Sequence, residues 1–285
     1  MTNYLRIDSH QHCWQLARGD YHWLNNGPAK LQRDFLPADL QPQLQQNGID
    51  YSVIVQATET LAETEFMLRL AQQHPFIAGV VGWVDMNLPN ATELLSALHQ
   101  QPKFLGIRPM IQGIADPNWM LKPELDSVFT WLIDNDLTFD ALVKPVHLNA
   151  LYQLLQRYPE LKLVIDHGAK PDIAANVFKP WAEQLQKISE ETAAYCKFSG
   201  LVTEAGTDTS FNCLLPYMNQ LIKCFGAERL MWGSDWPVCT LATTYGQWVE
   251  TTETFLARYT PQAAQAIWGG NAIRFYNLDL PRQDD

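Results

Sequence analysis

The sequence predicts a (β/α)8 barrel, the TIM-barrel fold class, on three observations. Eight short β-branched or apolar runs alternate with longer amphipathic segments, the interval from one run to the next is roughly 20 to 45 residues, and no Pro/Gly/Ser-rich linker divides the chain. The expected strands are 6–12, 52–56, 77–85, 104–108, 137–144, 161–167, 194–199 and 229–235. Between them the 3.6-residue period predicts helices over 37–47, 60–73, 89–100, 123–135, 148–158, 173–189 and 214–225, with 244–258 and 261–268 closing the chain. Parallel strands need such crossovers, and eight of them fill one barrel of about 250 residues, so residues 1–285 are read as one domain. A doubly wound open sheet is the alternative. Its nucleotide-binding form lacks support, because neither GxGxxG nor GxxxxGK[ST] follows the first strand.

One connection stands out. Residues 13–36 carry Trp14, Tyr21, His22, Trp23, Gly27 and Pro28 without a clear period. A loop this long in a compact domain is often functional, and after the first barrel strand it belongs to the catalytic face.

Composition narrows the partners. The 285 residues carry 20 Lys plus Arg against 31 Asp plus Glu, a net charge of −11, which repels polyphosphates and anionic lipid surfaces. Nucleic acid is therefore excluded as a partner, and a small molecule is favoured. The longest apolar stretches, such as 77–84, fall short of the roughly 18 to 20 residues of a bilayer span, so no membrane association is expected. The start of the chain has no basic head or apolar leader, which makes the cytoplasm the expected compartment. Five cysteines, Cys13, Cys196, Cys213, Cys224 and Cys239, show no CxxC spacing and are read as free thiols. Nothing in the sequence sets the oligomeric state.

The chemistry-bearing residues lie at strand ends. In Asp8-Ser9-His10-Gln11-His12 the period of two sends His10 and His12 to the same side, roughly 6.5 to 7 Å apart along the strand, where two imidazoles can share one metal ion. A pair of satisfied surface histidines is the competing reading. His167 ends the run Val164-Ile165-Asp166-His167, and Asp235 ends Met231-Trp232-Gly233-Ser234-Asp235. These two either cap local turns or, in a barrel, meet the HxH pair at one end of the axis.

The constellation resembles the amidohydrolase superfamily. The wider sequence is similar to its sugar-lactonase branch, the L-fuconolactonase and L-rhamnonolactonase group related to 2-pyrone-4,6-dicarboxylate lactonase. The matching stretches are IDSHQHCWQ (7–15), RDFLPADLQP (33–42), HPFIAGVVGWVD (74–85), FLGIRP (104–109), VIDHGAKP (164–171), YCKFSGLVTEA (195–205) and RLMWGSDWPVC (229–239). Relatives often read His-Leu-Gly-Lys-Pro where this chain has His167-Gly168-Ala169-Lys170-Pro171. The strand count also puts His167 on the sixth strand, whereas one-metal members usually take this ligand from the fifth.

The resemblance implies a hydrolase that opens a sugar lactone, with a deoxy-sugar aldonolactone as the small-molecule substrate. Asp235 would take a proton from water and deliver it to the ring oxygen, with His167 as its catalytic companion. His10, His12, His167 and Asp235 would hold one divalent ion, zinc or another, or in a metal-independent site the same imidazoles would donate hydrogen bonds to the carbonyl. Two ions are not expected, because His74, His99 and His147 fall in helical or inter-element positions, and Lys144 is read as a substrate-contacting rather than a carboxylated lysine. Arg108, Lys144 and Lys170 are the expected cationic substrate contacts, Trp14, Trp83 and Trp236 the expected stacking surfaces, and Glu204 a hydroxyl contact. Trp23 and Trp119 complete the aromatic candidates. The alternative reaction on the same scaffold is non-oxidative decarboxylation with a metal.

Overall fold

The structure, a computed structural model, describes residues 4–280. Eight parallel strands pair in chain order: β1 (Ile7–Gln11), β2 (Tyr51–Val55), β3 (Ile77–Gly82), β4 (Phe104–Ile107), β5 (Thr138–Ala141), β6 (Leu163–Ile165), β7 (Tyr195–Phe198) and β8 (Leu230–Trp232). The ring closes just past β8, where the His12 amide donates to the Trp236 carbonyl at 2.7 Å and the Asp235 amide to the His10 carbonyl at 2.8 Å. This is the expected barrel. The strands are shorter than the sequence runs because β3, β5 and β8 stop where side chains turn toward the catalytic face. Val84, Leu142 and Asp235 thus fall in loops.

The crossovers form where apolar spacing and caps agree. They are α1 (Pro37–Gln46), α2 (Leu61–Gln73), α3 (Ala91–His99), α4 (Asp126–Asp134), α5 (Leu148–Arg157), α6 (Lys179–Glu191), α7 (Leu201–Glu204), α8 (Phe211–Phe225), α9 (Tyr245–Leu256), α10 (Pro261–Gln265) and α11 (Asn271–Phe275). Leu148, Leu151, Leu154 and Leu155 put the buried stripe of α5 on the barrel at helical spacing. Thr60 and Ser210 cap α2 and α8 by accepting from the Glu63 and Cys213 amides. Helix α6 starts six residues later than its pattern suggested, since 173–178 form a turn beside the site.

Two apolar layers result. One fills the space between barrel and helices. The other gathers Ile7, Val53, Val55, Val81, Val164 and Met231 against Phe275, Tyr276 and Leu278, so the segment after α10 closes the end where the strands begin. The opposite end is left to the loops. Residues 13–36 form three short 3-10 turns instead of an irregular loop, with Trp14 and Phe35 paired through both backbone bonds.

Candidate active site

Strand alternation places His10 inside the barrel, and His12 lies one residue past β1, both buried. Their Nε2 atoms are 3.2 Å apart. This is closer than backbone spacing alone suggests, because the two rings tilt together with their planes at 82°. His167 follows β6 in a tight turn and has a φ of 53°, a left-handed conformation that swings its ring inward. Asp235 follows β8 with a φ of 55°. The Asp235 Oδ1 atom lies 3.2 Å from His12 Nε2 and 3.8 Å from both His10 Nε2 and His167 Nε2. All four groups expected from the sequence therefore meet, and His167 stands after the sixth strand, as the strand count had it.

Hydrogen bonds at the far side of each ring orient them. His12 Nδ1 donates to the Val55 carbonyl at 2.8 Å, which fixes its ring with Nε2 toward Asp235. His167 Nδ1 lies 2.8 Å from Ser199 Oγ. His10 Nδ1 lies 3.0 Å from Lys197 Nζ and 3.4 Å from Asp166 Oδ1. Burial lowers the basicity of all three imidazoles, His10 well below the ordinary histidine range with Lys197 adding to the effect, and His167 to about 4. Burial alone would raise the Asp235 carboxyl, but His167, the hydrogen bond to His12, and His10 outweigh it and hold it below the usual carboxylate value. Asp235 is an anion at neutral pH.

Beneath this cluster lies a buried polar network. Lys197 of β7 reaches Asp140 Oδ2 of β5 at 2.5 Å and Asp166 Oδ1 at 3.1 Å, and the Tyr276 hydroxyl donates to Asp140 Oδ2 at 2.7 Å. Arg108 lies 3.4 Å from Asp166 Oδ2 and also donates to the Gln56 carbonyl, so it is buried and paired, not free at the barrel mouth. Sequence reading assigned no role to Asp140, Asp166, Lys197 or Ser199. A charged residue in the middle of a strand run, as in Tyr195-Cys196-Lys197-Phe198 or Thr138-Phe139-Asp140-Ala141, was the available signal, since a buried charge needs partners.

The cluster opens into a cavity of about 280 Å³. His12, His167, Asp235 and Arg108 form its floor, Lys170 and Gln112 its polar rim, and Trp14, Trp23, Ala57, Met110, Leu142 and Val238 its apolar wall. Of the expected substrate contacts, Arg108, Lys170 and Trp14 line this space. Lys144 and Glu204 instead line an adjoining depression, where Glu204 pairs with Lys170 at 3.5 Å. Trp236 packs edge-on to Phe35 below another surface groove, and Trp83 and Trp119 lie outside the cavity wall. Burial pushes the Cys13 and Cys239 thiols up, so both are protonated, apolar fillers.

Strand-end imidazoles around an ionised carboxylate, at the open end of a closed eight-stranded barrel, define an enzyme of the (β/α)8 class. The amidohydrolase family model matches residues 7–278, and the chain belongs to that family. It is 42% identical over 283 residues to an L-fucono-1,5-lactonase of Burkholderia ambifaria, covering 98% of both chains. An L-fucono-1,5-lactonase of Burkholderia multivorans is 34% identical over 97% of both. A crystal structure of an amidohydrolase from Burkholderia multivorans with bound zinc superposes with a TM-score of 0.91, at 34% identity over 96% of this chain and 99% of that one. Among the described residues no helix is long and apolar enough to cross a membrane.

Proposed function

We propose that this protein hydrolyses a neutral sugar lactone, an aldonolactone of a deoxy sugar, with Asp235 carrying the proton. The observation that carries the reading is the convergence of three imidazole Nε2 atoms within 3.8 Å of one ionised carboxylate oxygen at the cavity floor. The relatives named L-fucono-1,5-lactonase support the substrate class.

Lactone opening needs a base for water, a stabiliser for the charge growing on the carbonyl oxygen, and an acid for the leaving ring oxygen. Asp235 Oδ1 takes the proton of a water set against the carbonyl carbon. When the tetrahedral intermediate collapses, the ring C–O bond breaks and the same carboxyl returns the proton to the departing oxygen. The imidazoles and Arg108 face the place where negative charge develops. The wall of Trp14, Trp23, Met110 and Leu142 excludes bulk water and suits a sugar face with a methyl substituent.

The donor set also fits a divalent ion. Ligands held about 2.0 to 2.1 Å from a tetrahedral centre lie about 3.3 Å from one another, and the His10, His12 and Asp235 donor atoms are 3.2, 3.2 and 3.8 Å apart. His167 adjoins them. Bound there, such an ion supplies Lewis-acid polarisation of the carbonyl.

Decarboxylation is less favoured, because its substrate carboxylate needs a free cation, and the cavity's Arg108 and Lys170 are paired with Asp166 and Glu204. The test is acid release from a panel of aldono-1,4- and aldono-1,5-lactones, by chelated and by zinc-supplemented enzyme. The highest kcat/KM is expected on a 6-deoxy aldonolactone. Absence of acid release from every lactone under both conditions overturns the reading.

A further inference from the structure

We propose that Glu204 sets specificity by charge: it neutralises Lys170 at the cavity rim and so keeps carboxylates, above all the aldonate that lactone opening releases, from being held where the neutral lactone binds. The inference deepens the lactonase reading and rests on it for the identity of the anion.

Lactone opening changes charge more than it changes recognition groups. Water adds across the ring C–O bond, a hydroxyl and a carboxylic acid form, and the acid loses its proton to solvent at neutral pH, since carboxyls ionise near pH about 4. Every hydroxyl of the lactone survives in the product. A wall or hydrogen-bonding group that recognises the sugar therefore holds both molecules, and charge is what separates them.

Three charged side chains line the cavity: Asp235, Arg108 and Lys170. Asp235 repels an anion. Arg108 is buried 3.4 Å from Asp166, with the Gln56 carbonyl as a further acceptor, so its charge is answered inside the barrel. Lys170 is the remaining cation, and it stands on the boundary between the cavity and the adjoining depression. There Glu204 Oε1 lies 3.5 Å from Lys170 Nζ, with side-chain exposures of 27% and 21%. Backbone bonds fix both partners. The Lys170 amide donates to the His167 carbonyl at 2.9 Å, closing the turn that carries His167, and the Ala174 amide donates to the Glu204 carbonyl at 3.0 Å, tying α7 to the connection after β6. Lys144 and Asp172 line the depression and not the cavity, so the charge at the rim rests on the Lys170–Glu204 pair.

The separation of that pair decides what the rim accepts. At 3.5 Å it exceeds the roughly 2.7 to 3.2 Å of an N–H···O hydrogen bond, so Glu204 offsets the charge while leaving the ammonium's donors available. A sugar hydroxyl can take those donors with Glu204 in place. A carboxylate must displace Glu204 to gain a full ion pair, and meets the field of Asp235 as it does so.

Calorimetric titration of 6-deoxy-L-galactonate, an aldonate with a terminal methyl, into the full-length protein tests this. Glu204→Gln keeps the side chain's shape and an oxygen acceptor beside Lys170 and removes only the charge. Its aldonate Kd should fall about five-fold, the order expected for loss of one competing ion pair near the surface. The lactone KM should change by under two-fold. Glu204→Ala should show the same gain in aldonate affinity, and in Glu204→Gln/Lys170→Met the gain should vanish. Unchanged aldonate affinity in folded Glu204→Gln or Glu204→Ala overturns the proposal, as does a gain that survives in the double variant. A lactone KM that falls as far as the aldonate Kd also overturns it, because the pair would then govern a hydroxyl contact without selecting charge. Wild-type protein that hydrolyses lactones, combined with no gain in Glu204→Gln, removes this inference alone. A Lys170-dependent gain in a protein that hydrolyses no lactone removes the preceding reading alone.

Discussion

His12 Nε2 and Asp235 Oδ1, from residues 223 apart in the chain, face each other at 3.2 Å across the seam where the barrel closes. The backbone sets this distance. Two bonds, His12 amide to Trp236 carbonyl and Asp235 amide to His10 carbonyl, lock the end of the first strand against the turn after the last. The left-handed conformation of Asp235 then directs its carboxylate back over the rings.

Asp235→Asn should therefore abolish turnover without disturbing the fold. The amide has the same shape but cannot take a proton from water, and loss of a positioned general base lowers kcat by about 10² to 10⁴. Activity on the best lactone, with circular dichroism as the control for folding, checks this. A variant retaining more than a tenth of wild-type kcat would exclude Asp235 as the base.

Gly200 offers a second test, of ring position instead of proton transfer. Its φ is +65°, and a Cβ there would stand 2.5 Å from His167 Nδ1, the atom now paired with Ser199 Oγ. Gly200→Ala should lose about 1 to 2 kcal/mol from the left-handed backbone alone and at least ten-fold in kcat from the displaced ring. Gly19 is the matched control: it shares the left-handed conformation, with φ 77° and ψ 2° against 65° and −2° at Gly200, and nothing lies within 4 Å of an added Cβ. Gly19→Ala should lower stability and leave kcat unchanged. Equal activity in the two variants would dissociate His167 placement from catalysis.

The readable part of the site was the part written in single strands. His10, His12, His167 and Asp235 each end an apolar run, and a barrel brings strand ends together whatever the loops do. Arg108 was legible as a residue but not in its setting, since its partners Asp166 and Gln56 come from other strands. The network of Lys197, Asp140 and Tyr276 was not recognised for the same reason: each member is one polar residue in its own segment, and only the closed barrel shows that they touch. The cavity wall was legible only in part, because Met110, Gln112 and Val238 lie in connections without a period. Element boundaries slipped where side chains leave the strand for the pocket, at β3, β5 and β8.

Trp23 tests the wall. It is 39% exposed, its indole N–H is held by the Ala57 carbonyl at 2.8 Å, and its ring stands edge-on to buried Trp14 at 5.5 Å, so one face remains open to the cavity. Loss of an aromatic contact of about 0.5 to 1.5 kcal/mol corresponds to a roughly 2- to 12-fold rise in KM. Trp23→Ala should show that rise with kcat within two-fold of wild type, and Trp23→Phe should recover most of it. An unchanged KM in Trp23→Ala would place the substrate elsewhere in the cavity.

Glu63 carries a pH dependence of stability whose sign is fixed by its burial. The carboxyl sits fully buried on α2, accepting from the Ala57 and Thr58 amides at 2.9 to 3.1 Å and so holding the loop that supplies Ala57 to the cavity. Burial outweighs those hydrogen bonds and pushes it up to about 8 from an ordinary value of 4.5. Between these values the native protein keeps a proton that the unfolded chain has lost. Stability from this group is therefore fully present below pH about 4.5 and declines as pH rises toward about 8, by at most about 1.4 kcal/mol per pH unit. Glu63→Gln keeps an oxygen acceptor for the loop amides and has no proton to lose. In denaturant unfolding from pH 5 to 8, the wild type should lose stability relative to Glu63→Gln by about 1 kcal/mol per unit. Parallel curves would mean that Glu63 is already ionised in the fold, with the backbone amides alone sustaining a buried carboxylate.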